Sequence, residues 1–97
     1  MEQVQAQADK PLSAGFEPCV VLVVDDNDFN RDGVALYLRS LGMTTLEAGD
    51  EATAYAIAVT ERPVAAVVDI VIPTTPGERA YIDRSVGVHL VRRLKAL

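Results

Sequence analysis

Three aspartates stand at the ends of apolar runs in this sequence, and carboxylates in such positions are candidates for chemistry. Asp25 and Asp26 directly follow the run "CVVLVV", and Asp69 lies inside the run "AAVVDIVIP". A carboxylate among apolar residues is unfavourable unless it is hydrogen-bonded, paired or bound to a cation. We therefore expect Asp69 to have a function that an aliphatic side chain in its place could not perform.

The chemistry open to these residues depends on whether they meet in the fold. Three carboxylates within a few ångström cannot all stay ionised without either raised pKa values or a bound cation. Oxygen ligands favour a hard ion, Mg²⁺ before Zn²⁺. An aspartate also serves as a nucleophile that forms an aspartyl-phosphate. We predict Asp69 as the nucleophile and Asp25 with Asp26 as the metal cradle; the alternatives are an acidic pair that only caps a helix and a structural Asp69.

The elements that would position these aspartates alternate between strands and helices. Short unalternating apolar runs are typical of strands buried on both faces, as in parallel sheets. The predicted order is strand 19–24, helix from Asn27 or Asp28 to Gly42, strand 43–48, helix from Asp50 to Pro63, strand 64–72 and a final helix over 86–97. This βαβαβα order predicts an α/β fold with a parallel sheet, in which ligands bind beyond the carboxyl ends of the strands.

The expected core consists of aliphatic residues on these elements. We expect Cys19 to be a small core residue, and we expect two helical stripes to face the sheet: Val34, Tyr37, Leu38 and Leu41 in the first helix, and Leu90, Val91, Leu94 and Leu97 in the last. His89 is expected to be a surface or capping residue.

Length and composition limit the class of protein. The 97 residues suit one small domain, with a polar leader over residues 1–18, expected to be flexible, and a domain over 19–97. The net charge of −5 argues against direct nucleic-acid binding. The chain has one cysteine, no apolar stretch long enough to span a bilayer and no signal peptide, so we expect no membrane partner and a cytoplasmic location.

Four segments in order resemble the receiver domain of bacterial two-component response regulators. The segments are "VLVVDDNDFNR", "LEAGDEATAYA", "VVDIVIP" and "VGVHLVRRLK", and the match runs from about Val20 to Leu97. The resemblance implies a flavodoxin-like (CheY-like) parallel sheet. It also implies a phosphoprotein of a phosphorelay, which is not an enzyme beyond weak self-phosphorylation and self-dephosphorylation.

The resemblance further assigns roles to single residues. Asp69 would accept a phosphoryl group from a histidine kinase or a phosphotransfer protein. Asp26 would bind Mg²⁺ directly, Asp25 would bind it mainly through water, and the backbone carbonyl of Val71 would complete the protein ligands.

The sequence departs from the family pattern in two places. The last two βα units, with a fourth-strand Ser/Thr and a fifth-strand Lys, are missing, so we expect a truncated or excised piece whose third strand is an exposed edge open to homo-oligomer formation. The loop 74–86 is longer than in the family. We expect it either to cover the site or dock a partner through Tyr81 and Ile82, or to be a disordered insertion.

Other functions remain as alternatives to a phosphoacceptor. A receiver-like protein-interaction module that is not phosphorylated is the main one. A haloacid-dehalogenase-type phosphatase is set aside, because Val71 stands where that family has a second aspartate. A dinucleotide-binding domain is disfavoured, because no G-x-G-x-x-G follows the first strand.

Overall fold

A computed structural model describes residues 19–77 and 85–97, and these ranges fold as an α/β unit around a parallel sheet. The elements alternate as predicted: β1 (Val20–Val24), α1 (Asp28–Ser40), β2 (Thr44–Ala48), α2 (Glu51–Glu61), β3 (Ala65–Val68) and α3 (Ser85–Lys95). The predicted leader 1–18 lies outside the described residues, as do Tyr81 and Ile82 of the predicted loop.

The sheet has the order β2-β1-β3, and both outer strands run parallel to β1. Val24 lies opposite Ala48 on one side and opposite Val68 on the other, so the three strands end at the same edge of the sheet. Val21 to Val24 are almost completely buried because β1 has a strand on each side and helices over both faces. The first and third strands are therefore neighbours, which is the condition under which the residues that follow them can meet.

Helix α1 begins and ends where its sequence predicts. The Asn27 side chain caps the helix by accepting the N–H of Asn30 at 2.9 Å. The turn after the helix contains Gly42, whose φ of 91° is a left-handed conformation that glycine adopts without strain.

The predicted apolar stripe of α1 is wrong in part. Ala35 is the fully buried residue of this helix, whereas Tyr37 and Leu41 are 64% and 54% exposed. The helix packs on β1 and β2 through the side that carries Ala35. The described residues include no element that packs over the side carrying Tyr37.

Helices α2 and α3 pack together on the opposite face of the sheet. The buried cluster there combines strand and helix residues: Leu22, Val24, Ala48, Ala54, Ala58, Ile72 and Leu90. Alternate residues of a strand point to opposite faces, so Val21 and Val23 lie on the α1 face. Gly87 lets α3 approach the segment that follows β3, because a Cβ at this position would overlap the backbone of Ile70.

Several predictions about burial and boundaries are wrong. Cys19 precedes β1 and is exposed, because it lies at the open end of the sheet. Strand β3 covers only Ala65–Val68, a shorter span than the predicted 64–72, whereas the expectation that it is an exposed edge is confirmed within the described ranges, where it pairs with β1 alone. Helix α3 begins at Ser85, one residue before the predicted start, and ends at Lys95, so Leu97 lies beyond it; Val91 and Leu97 are 39% and 43% exposed.

In the part of the chain that the structure describes, no helix combines the length and the apolar character needed to cross a membrane.

Candidate functional site

The three aspartates singled out in the sequence meet at the carboxyl edge of the sheet. Asp25 and Asp26 follow β1 and Asp69 follows β3, and one carboxylate oxygen of each lies within 4.8 Å of the others. The backbone ladder positions them: the N–H of Asp25 donates to the carbonyl of Ala48 at 3.1 Å, and the N–H of Asp69 donates to the carbonyl of Val24 at 2.8 Å. The sheet therefore brings Asp69 beside two aspartates that precede it by more than 40 positions in the sequence.

The environment of the cluster differs between its members. Asp26 and Asp69 are exposed, whereas Asp25 is half-buried and its Oδ1 accepts the N–H of Asn27 at 3.0 Å. Burial raises the pKa of Asp25 above its ordinary value, the negative charges of Asp69 and Asp26 raise it further, and the hydrogen bond from Asn27 opposes the rise. Concentrated negative charge of this kind attracts a cation.

The donor set of the cluster fits a hard divalent cation. All three side chains offer carboxylate oxygens, and two of them are open to solvent, which leaves room for the waters that Mg²⁺ retains. Exposed acidic groups also occur without a metal, and Mg²⁺ at this cluster stays a prediction. The N–H of Val71 points to Oδ1 of Asp69 at 3.4 Å, and the ligand role of the Val71 carbonyl stays a prediction.

Arg31, in the first turns of α1, holds the backbone next to the aspartate cluster, and no feature of the sequence analysis predicted this role. Its Nη1 donates to the backbone carbonyl of Asp25 at 2.9 Å, its Nε donates to Glu47 at 3.2 Å and its Nη2 donates to Asp28 at 2.7 Å. The guanidinium thus joins the end of β1 to α1 and β2. Its position six residues after Asp25, one helical turn past the cap Asn27, is the signal from which the contact was predictable.

The segment after Asp69 is tied to the amino end of α2. The N–H groups of Glu51 and Ala52, which have no partner within the helix, donate to the carbonyls of Pro73 and Thr74 at 3.0 and 2.9 Å. Ile72 is buried in the core between these contacts and Asp69. The backbone on both sides of Asp69 is therefore held, so its carboxylate projects from an ordered position.

A second polar cluster joins α2 to α3. The Glu51 carboxylate, whose side chain is 7% exposed, lies 2.6 Å from Nδ1 of His89 and accepts from Nη1 of Arg93 at 3.1 Å. The Arg93 guanidinium also stacks over the Tyr55 ring, 3.7 Å from its centroid. His89 is exposed, as predicted, but it is part of this helix–helix contact and is not part of the aspartate cluster. The contact of Glu51 with His89 had no local sequence signal.

Comparisons with known proteins give one partial similarity. The chain is 38% identical over 64 residues to the probable transcriptional regulatory protein TcrX of Mycobacterium tuberculosis. The matched region is 66% of this chain and 27% of that protein, so the chain spans about a quarter of the length of its relative. No family model matches the chain. No solved structure matches it either.

Proposed function

We propose that this chain is a CheY-like phosphoacceptor receiver domain of a two-component response regulator or hybrid kinase. In this proposal Asp69 takes a phosphoryl group from a histidine kinase or a phosphotransfer protein. The observation that carries the proposal is the convergence of Asp25, Asp26 and Asp69 at the ends of two adjacent parallel strands. The partial similarity to a probable transcriptional regulatory protein is in keeping with a role in signalling.

The proposed step is a transfer between two nucleophiles. An exposed Asp69 carboxylate oxygen attacks the phosphorus of the phosphohistidine, a bond forms between them, and the bond from phosphorus to the imidazole nitrogen breaks with its electron pair going to nitrogen. The chain contributes mainly by positioning, because phosphoryl transfer depends on alignment and charge neutralisation. The fixed backbone of Asp69, between its bond to Val24 and the buried Ile72, supplies the alignment.

The charge of the cluster sets a requirement for a cation. Three carboxylates repel an incoming phosphoryl group, and Mg²⁺ bound there would neutralise charge on the cluster and on the phosphoryl oxygens. Asp26 and Asp25 would hold the ion together with Asp69, and the Val71 carbonyl would be a further ligand. The added phosphoryl charge would then alter the surface around the carboxyl edge of the sheet.

The test is labelling of the protein by a small phosphodonor, measured by intact mass. We expect a one-phosphoryl adduct that requires Mg²⁺ and is lost in Asp69→Asn. The control variant Asp32→Asn should retain the adduct, because Asp32 is an exposed aspartate of α1 outside the cluster. Peptide mapping places the adduct at Asp69. A folded protein that takes no adduct, under conditions that label an ordinary receiver domain, contradicts the proposal.

A second candidate is a receiver-like interaction module that is not phosphorylated. It is favoured by large apolar side chains exposed on α1: Phe29 at 86%, Leu36 at 63% and Tyr37 at 64%. Such a patch is typical of a protein–protein contact. Partner binding that is unchanged in Asp69→Asn and unaffected by phosphodonor favours this second candidate, whereas binding that responds to the phosphodonor favours the first.

A further inference from the structure

The two outer strands of the sheet differ in how their open edges are protected. Strand β2 carries polar side chains that are engaged with α1: Arg39 donates to the Thr45 hydroxyl at 2.8 Å, and Glu47 pairs with Arg31 at 3.2 Å. Strand β3 consists only of alanine and valine. Charged and polar side chains on an edge discourage pairing with another strand, so β3 is the edge without such protection.

The hydrogen bonds between β3 and β1 determine which backbone groups of β3 lie on its open edge. The N–H of Asp69 donates to the carbonyl of Val24, and backbone groups alternate in direction along a strand, so the N–H and C=O groups of Val67 and Ala65 also point towards β1. The N–H and C=O groups of Ala66 and Val68 therefore face away from β1. Among residues 19–77 and 85–97, no strand pairs with this side of β3.

An apolar groove lies beside this edge on the α2/α3 face. It has a volume of about 460 Å³ and is lined by residues of β3, the end of α2 and the last turns of α3, among them Ala66, Val68 and Leu94. Arg62 and Lys95 also line it. Gly87 at the start of α3 lies against Ile70, beyond the carboxyl end of β3. Lys95 at the end of α3 lines the groove together with Arg62 and Ala65, at the amino end of β3, so α3 runs back along the strand.

The two ends of β3 therefore carry opposite charge. Arg62 and Lys95 lie near its amino end, and the carboxylates of Asp25, Asp26 and Asp69 lie at its carboxyl end. If a second β3 strand lay antiparallel beside this one, the acidic end of each strand would lie next to the basic end of the other. A second copy of this chain meets that charge pattern at both ends of one interface.

We infer that β3 pairs antiparallel with β3 of a second copy, joining the two sheets into one across a two-fold axis at Val67. This register pairs Ala66 with Val68 of the other copy and satisfies their outward backbone groups. It places the two Val67 residues directly opposite each other in a non-hydrogen-bonded position, where Cα atoms lie about 4.5 Å apart. Val67 is 45% exposed in the single chain, so the pairing buries apolar surface.

The test uses a cysteine at the proposed axis. In a Cys19→Ser background, Val67→Cys should form a disulfide between two copies under mild oxidation, because the expected Cα separation suits a disulfide. The matched control is Val59→Cys in the same background, since Val59 is 43% exposed on α2 and away from the edge. We expect several-fold faster covalent dimer formation for the cysteine at 67, with the 67–67 link found by peptide mapping.

Light scattering tests the same contact without oxidation. The unmodified chain should be dimeric, and Val67→Lys should make it monomeric while its far-UV circular dichroism and melting stay native-like. Arg62→Glu combined with Lys95→Glu should weaken the dimer, as should high salt.

Three outcomes overturn the inference. The first is a chain that stays monomeric at all concentrations. The second is equal crosslinking of the two cysteine variants. The third is a monomer in which the amides of Ala66 and Val68 are protected from hydrogen exchange, which would show that another segment of the same chain covers the edge.

Discussion

The backbone N–H of Asp69 donates to the carbonyl of Val24 at 2.8 Å, so the aspartate after β3 is locked to the residue that precedes Asp25. This bond extends the parallel ladder one residue past the strand proper. It fixes the distance between the candidate acceptor and the candidate metal ligands through the sheet itself. The site therefore depends on strand pairing more than on any loop.

Metal binding should depend on the cluster and not on acidity in general. Asp26→Asn removes one charge from the proposed metal site and should weaken Mg²⁺ or Mn²⁺ binding by roughly tenfold or more, since changes even beyond the ligands of a metal cost that much. Asp32→Asn changes the net charge equally and should bind as the unaltered chain does. Titration calorimetry or Mn²⁺ relaxation measures both affinities, and equal loss in the two variants would show a general charge effect.

Stability should fall as pH rises, in the absence of divalent cations, through the range in which Asp25 ionises. Its pKa is raised in the fold by burial and by the neighbouring carboxylates, so the folded state holds a proton more tightly than the unfolded state. The stabilisation is thus present at low pH and is lost as pH passes the raised pKa. In Asp25→Asn the side-chain oxygen still accepts the N–H of Asn27. This variant should lose less stability as pH rises, and it should have a higher melting temperature at neutral pH.

Addition of Mg²⁺ should change the melting temperatures of the unaltered chain and of Asp25→Asn by different amounts. At neutral pH the ion should raise the melting temperature of the unaltered chain more than that of Asp25→Asn, because binding to the folded state stabilises it. An identical shift for both proteins would show that Asp25 takes no part in binding the ion.

Removal of the Arg31 side chain should destabilise the fold. Arg31→Met loses hydrogen bonds to the Asp25 carbonyl and to the carboxylates of Asp28 and Glu47, and we expect a loss of about 1–3 kcal/mol in the free energy of unfolding. Arg39→Met is the control, because Arg39 is more exposed, and its hydrogen bond to the Thr45 hydroxyl and its pair with Glu47 at 3.7 Å should together contribute less than about 1 kcal/mol. Urea unfolding measures both, and equal losses would contradict the role given to Arg31.

A methyl group at Gly87 should disturb the contact between α3 and the sheet. Gly87→Ala places a Cβ against the backbone of Ile70, and overpacking of this kind costs roughly 1–3 kcal/mol. Gly33→Ala is the matched change in a helix: nothing lies within 4 Å of its Cβ, so it should stabilise the protein by about 0.5–1 kcal/mol. Opposite signs in thermal unfolding are the expected result, and a stabilised Gly87→Ala would show that α3 packs elsewhere.

The amino-acid sequence alone determined the order of the elements and the edge of the sheet at which the acidic residues lie. Apolar runs, the caps Asn27 and Asp50 and the glycine at 42 are local signals, and each acts within a few residues. The order βαβαβα predicts parallel strands that end at one edge, and Asp25 and Asp69 meet there because β3 lies beside β1, an adjacency that the element order alone does not fix. This part of the fold and of the site was therefore predictable.

Only the tertiary structure decided which apolar residues are buried and which side chains meet across elements. Cys19 and Tyr37 are exposed, because burial depends on the neighbours that an element has in space. The contact of Glu51 with His89 joins residues 38 positions apart. Such contacts depend on helix orientation over the sheet, which apolar periodicity does not specify, and for that reason the sequence left them open.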